Sequence, residues 1–185
     1  MRPLGLIGYG FLFVAIKVKF GDVDVLADPL GWVLVLLGLR RLARTVDLPA
    51  TMALTYLGIL ALLCSGPLWW PATARSLEAG DPAVLWSVGL GELLFSAVLC
   101  HAMATLAQEA KEGTALVWFR ICEAGLVIGA VTPPLYFGAH LSWLKGVGDL
   151  GAVLQLVVLV LCFVYSGRTW AGAPEKPVPA DGTDE

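Results

Sequence analysis

Between Pro82 and Gln108 this chain carries one ionised side chain, Glu92, and one histidine, His101. From Thr114 to Leu144 the charged residues are Arg120 and Glu123 alone, with His140 beyond them. A helix in water needs a solvated face, whereas a charge in hydrocarbon is costly, so runs this long and this poor in charge point to a bilayer. Composition agrees: 58% of residues are hydrophobic and 15% charged, against about 45–50% and about 25% in soluble domains. Mean hydropathy is +0.79. The expected fold is all-α, a polytopic transmembrane bundle of about six helices, with the lipid bilayer as its first partner.

The formal net charge is -3, and Glu175, Asp181, Asp184 and Glu185 of the tail supply much of the acid. No basic stripe suggests a nucleic-acid partner. Cys64, Cys100, Cys122 and Cys162 lie far apart within apolar stretches, which is neither a disulfide framework nor a zinc pattern. Met1-Arg2-Pro3 followed by Leu4 to Ile16 loosely resembles a signal peptide. It lacks a small-residue cleavage site and reads as an uncleaved first membrane segment.

Punctuation divides the chain into helices at about 4–18, 29–45, 49–66, 82–108, 114–132 and 147–166. Asp28-Pro29 and Asp81-Pro82 each pair an N-cap acid with proline at the first helical position. Gly66-Pro67 closes the third run, Gly113 is the expected stop of the fourth, and Pro133-Pro134 ends the fifth. Residues 1–170 form the helical domain, and 171–185 an acidic, Pro-rich, disordered cytoplasmic tail.

With both termini in the cytoplasm, Arg2, Arg40, Arg41, Arg44, Lys111, Arg168 and Lys176 collect inside, and Lys17, Lys19, Arg75 and Lys145 outside. Trp32, Trp69, Trp70, Trp86 and Trp143 then fall at outer boundaries, and Trp118 and Trp170 at inner ones, as an aromatic belt. The first two helices have short apolar cores. They either span, with Arg40 and Arg41 snorkelling, or form a re-entrant hairpin, which would place Lys17, Lys19, Asp22, Asp24 and Asp28 deep in the bilayer.

Ionisable groups inside the membrane are the best pointers to chemistry. Glu92 and His101 lie on the fourth helix, and Arg120 and Glu123 lie three residues apart on the fifth. Antiparallel neighbours could gather all four, with Arg120 between His101 and Glu92 in depth. The cluster reads either as a proton or cation relay or polar pocket, or as an ion pair that fixes the packing of two helices. A second candidate is the loop carrying Asp22, Asp24 and Asp28, where alternate carboxylates could hold a hard cation or pair with Lys17 and Lys19.

The stretch Gly21-Asp22-Val23-Asp24-Val25-Leu26-Ala27-Asp28-Pro29-Leu30-Gly31-Trp32, running into Gly38-Leu39, resembles the N-terminal turn of a group of small bacterial multi-pass membrane proteins. In those an Ile-Asp-Ile-Leu-Pro-Asp-type turn precedes Gly-Tyr or Gly-Trp; Ala27 stands here where proline is usual. The resemblance implies a bacterial inner-membrane location and no particular chemistry.

There is no His-Glu-x-x-His helix, no Gly-x-Ser-x-Gly elbow and no phosphate loop. Two histidines cannot make a three-histidine metal site. No metal or cofactor is expected, and catalysis would rest on carboxylates. Three functions remain: a small permeation or transport component, alone or as a homo-oligomer, using the Glu/Arg cluster; an accessory or scaffold subunit of a larger membrane complex; and a membrane-embedded enzyme acting on lipid.

Overall fold

Glycine at Gly10, Gly31 and Gly38 decides how the first two helices meet. In the computed structural model α1 (Pro3–Ala15) and α2 (Asp28–Thr45) pack antiparallel, and a Cβ on Gly10 would lie 2.6 Å from the carbonyl oxygen of Gly31. On Gly38 a Cβ would lie 2.9 Å from the backbone nitrogen of Ile7. Helix backbones come this close only where side chains are absent. The structure describes residues 1–15, 19–20, 23–24, 28–69, 73, 80, 82–138 and 150–175.

Four further helices follow: α3 (Thr51–Trp69), α4 (Pro82–Glu109), α5 (Gly113–Gly138) and α6 (Leu150–Tyr165). Each packs on its sequence neighbours, α6 closes against α1, and α4 also touches α6. The result is an up-and-down ring of six antiparallel helices, with a two-residue ladder, Lys19–Phe20 on Val23–Asp24, between α1 and α2. Where the ring narrows, Phe11, Trp32 and Phe95 meet edge to face at centroid distances of 5.3–6.2 Å. Edge-to-face is the arrangement aromatic quadrupoles favour.

Trp32 is therefore a core residue, 1% exposed, and not part of an aromatic belt. Its position on α2 faces the ring interior, where it packs between Phe11 of α1 and Phe95 of α4. The other corrections concern helix ends. α3 runs through Gly66-Pro67 to Trp69. α4 stops at Glu109 in a Schellman turn, with Glu112 N–H donating to Ala107 O at 2.9 Å and Lys111 in the left-handed region at φ 57°. Gly113 opens α5 instead of closing α4.

α5 continues through Pro133-Pro134 to Gly138, although proline lacks the N–H that would close the ladder. Pro134 would leave the carbonyl of Ala130 without a donor, and the Trp86 indole Nε1–H donates to that oxygen at 3.2 Å. Thr132 Oγ1 donates to Ile128 O at 2.7 Å, a side-chain bond added to the ladder just before the prolines. The indole thus replaces one of the bonds that proline removes. The tail docks further than its composition suggests: Thr169–Ala171 form a 3₁₀ turn, and Gly172, at φ 83°, is buried against Thr45 and Leu42. Residues 176–185 lie outside the described residues.

Arg2, the Arg40–Arg44 cluster, Lys111 and Arg168 gather at one end of the ring, where Arg168 reaches Glu112 at 3.6 Å and Gly172 reaches Thr45. Two helices, Trp86–Glu109 and Gly113–Tyr136, are long and apolar enough to cross a membrane, each with mean hydropathy 1.6. Pro3–Ala15, Thr51–Gly66 and Leu150–Tyr165 are shorter apolar helices. The ring is apolar outside as well as inside: Tyr56 and Leu63 on α3, Ile121, Ile128 and Val131 on α5, and Leu156, Val160 and Val164 on α6 are all exposed.

Candidate functional site

The tight turn at 110–112 fixes the register of α4 on α5. His101 lies eight residues before the end of α4 and Arg120 seven after the start of α5, so both stand about 11 Å from the turn at ~1.5 Å per residue. Small residues on the buried side of α4 (Ala97, Cys100, Ala104 and Ala107) let the helices approach. From α5, Ala115, Phe119, Cys122 and Leu126 point inward at helical spacing. Arg120 and Glu123 each follow one of these residues by a single position, which turns them out of the core and toward the rim of the seam.

There they meet His101. Arg120 Nη1–H donates to Glu123 Oε2 at 2.7 Å, and His101 Nδ1 stands 2.8 Å from Glu123 Oε1. The carboxylate accepts from both sides, which assigns the proton to Nδ1. Arg120 Nη1 also lies 3.1 Å from that nitrogen, a close approach of two donors that the carboxylate between them offsets. The charges of Arg120 and Glu123 cancel, and the imidazole's Nε2 takes part in none of these three contacts.

The triad is open to the outside. The side chains of His101, Arg120 and Glu123 are 50%, 41% and 23% exposed. Around it the outer face of α5 is apolar, with Val117, Trp118 and Ile121 each about half exposed. Behind it, Leu99, Cys100, Met103, Phe119, Cys122 and Leu126 are fully buried and close the interior at this level.

Glu92 takes no part in the bonds that hold the triad together. It precedes His101 by nine residues, which at about 100° per residue puts it on the opposite side of α4. It instead shares a face with Phe95, three residues on, and is half-buried. Asp28 stands in the same relation to Trp32, four residues on. Because α2 and α4 run parallel, Asp28 and Glu92 both lie about one turn beyond the aromatic cluster, toward the end where the two helices begin. Asp24 pairs in register with Lys19 in the short ladder. Asp22 lies outside the described residues, as do Lys17 and His140. Among the described residues no group of three or more His, Cys, Asp or Glu side chains gathers as a metal site, and all four cysteines are free thiols.

Sequence spacing allowed one cluster of Glu92, His101, Arg120 and Glu123; hydrogen bonds join the last three, at the outer rim of the seam. Whether a polar residue one position from a core residue turns inward or outward depends on how closely its neighbour helix approaches. A second arrangement was missed. Val33, Leu37, Arg40 and Arg44 form one stripe of α2 facing α3, and the alternation of four and three residues along that stripe was the available signal. Comparison with protein-family models, with curated proteins and with solved structures returned no match.

Proposed function

We propose that this chain is a multi-pass protein of the bacterial inner membrane that serves as a non-enzymatic subunit of a larger membrane assembly, with the outer face of α4 and α5 as its docking face. The observation that carries this is the His101–Glu123–Arg120 triad, open on the outside of an apolar helix pair. Lipid tails cannot solvate such a group, so polar side chains within a membrane normally face protein or water. A helix of a partner, or of a second copy, laid over the α4–α5 seam would cover the triad and offer a hydrogen-bond partner to His101 Nε2.

Apolar side chains exposed on α3, α5 and α6 support the membrane setting, since soluble proteins rarely carry apolar surface on so many faces. The basic end of the ring supports an orientation with both termini in the cytoplasm. The closed interior beside the triad favours a subunit over a permeation path within a single chain.

Photo-crosslinking in native membranes tests the reading. Ile121 on α5 and Val160 on α6 are matched in exposure at 52% and 54%. A photoreactive residue at position 121 is expected to give a discrete protein adduct that Glu123→Gln weakens, whereas position 160 gives none. Equal adducts at both positions, or none at either, would refute the docking face. Proton or sodium flux into proteoliposomes of the purified chain, lost in Glu123→Gln, would instead establish permeation.

A further inference from the structure

The α2–α3 seam opens, on its outer side, into a groove of about 500 Å³. Val33, Leu36, Leu37 and Ile59 line it, and Arg40 and Arg44 stand at the end where α2 finishes. Both arginines are exposed, and neither makes an ion pair or hydrogen bond with any of the described residues. Asp47, the nearest acid in sequence, makes no ion pair with them. The two guanidinium groups are four residues apart on one helix and therefore face the same way. Thr51 and Thr55 complete the groove, and their hydroxyls donate to Leu48 O at 2.6 Å and Thr51 O at 2.8 Å, so they are satisfied within the chain.

We infer that this groove is a binding site for an anionic phospholipid, its phosphate held by Arg40 and Arg44 and an acyl chain laid along Leu36, Leu37 and Ile59. Charge complementarity selects this occupant. An apolar groove alone would take any acyl chain, but two unpaired forks at one end match a phosphate, which arginine binds through parallel N–H donors. From Arg44 to Val33 the groove spans about 16 Å of helix axis at ~1.5 Å per residue, long enough to seat much of a chain below the headgroup. Basic pockets between membrane helices on the cytoplasmic side recognise such headgroups by the same chemistry. Arg41, between the two, lines a separate hollow with Met1, Pro3 and Gly172, and so supplies a control of equal charge.

The inference rests on the membrane setting proposed above, and the experiment separates the two. The full chain is first tested for resistance to alkaline extraction from membranes; release would refute the membrane reading itself. Retained protein is then purified in a neutral detergent, and native mass spectrometry compares phosphatidylglycerol with phosphatidylcholine of the same acyl chains. Phosphatidylglycerol is expected to bind roughly thirtyfold more tightly, the scale set by two arginines near an anionic headgroup. The double change Arg40→Gln and Arg44→Gln should reduce it to the level of phosphatidylcholine, and Arg41→Gln should leave the preference intact. Thr55→Trp, which fills the groove, should weaken both lipids. Equal binding of the two lipids by the unaltered chain would overturn the site. So would equal losses from Arg41→Gln and the double change, because the attraction would then be diffuse charge.

Discussion

Replacing Gly10 by alanine asks α1 and α2 to move apart. The new Cβ would lie 2.6 Å from Gly31 O, 2.6 Å from Val35 Cγ2 and 2.8 Å from Val35 N. Two of these partners are backbone atoms and cannot rotate away. Restoring an ordinary contact of about 3.5 Å needs the helices to part by about 0.9 Å, and a gap of that size forfeits a quarter to a half of each dispersion contact across the seam. Ile7, Val14, Val35 and Leu39 are buried beside it. Overpacking of this kind costs about 1–3 kcal/mol, and the better helix propensity of alanine returns about 1 kcal/mol. Gly89, in mid-helix on α4, has nothing within 4 Å of its would-be Cβ. There the propensity gain stands alone, about 0.5–1 kcal/mol. Thermal unfolding in detergent, followed by circular dichroism, should therefore move in opposite directions for the two variants: Gly10→Ala melts lower and Gly89→Ala slightly higher. Equal melting of the two, or a rise for Gly10→Ala, would refute the backbone-contact account of the α1–α2 seam.

Three other outcomes are expected from the same assay. Arg120→Leu should destabilise the chain by ~2 kcal/mol, and more than the double change of Arg120 and Glu123 to leucine, because the single change leaves a partly buried carboxylate with His101 and no compensating cation; equal melting would show that the pair is immaterial. Phe95→Ala empties the centre of the aromatic cluster and should cost about 3–5 kcal/mol, with loss of near-ultraviolet dichroism from Trp32. Trp86→Phe keeps the ring and removes the donor to Ala130 O, for a loss of about 1–2 kcal/mol that should vanish when Pro134→Ala restores a backbone donor.

Several of these sites could be read before any coordinates were known. Apolar runs of helical length, the Asp28-Pro29 and Asp81-Pro82 starts, and the scarcity of charge pointed to six helices in the order seen among the described residues, because those signals act within one or two turns of backbone. Antiparallel order with a short α4–α5 turn was enough to bring His101 to Arg120 and Glu123, since equal counts from a tight turn give equal depth. The proline pair was misleading for the same reason that the starts were readable: locally, proline ends a helix. The donor to the carbonyl that Pro134 leaves open is Trp86, 44 residues before Ala130, and no local rule contains that hydrogen bond.

By itself the sequence determined the class: an all-α chain, two of whose helices are long and apolar enough to cross a membrane. Tertiary structure decided direction. It turned Trp32 into the core and the triad to the outside, sent Glu92 to the opposite side of α4, and aligned Arg40 and Arg44 with a groove. The physical reason is that a helix's periodicity fixes which residues share a face, whereas the face that is covered depends on the closeness of its neighbours, and here glycine and alanine contacts between different helices set that closeness.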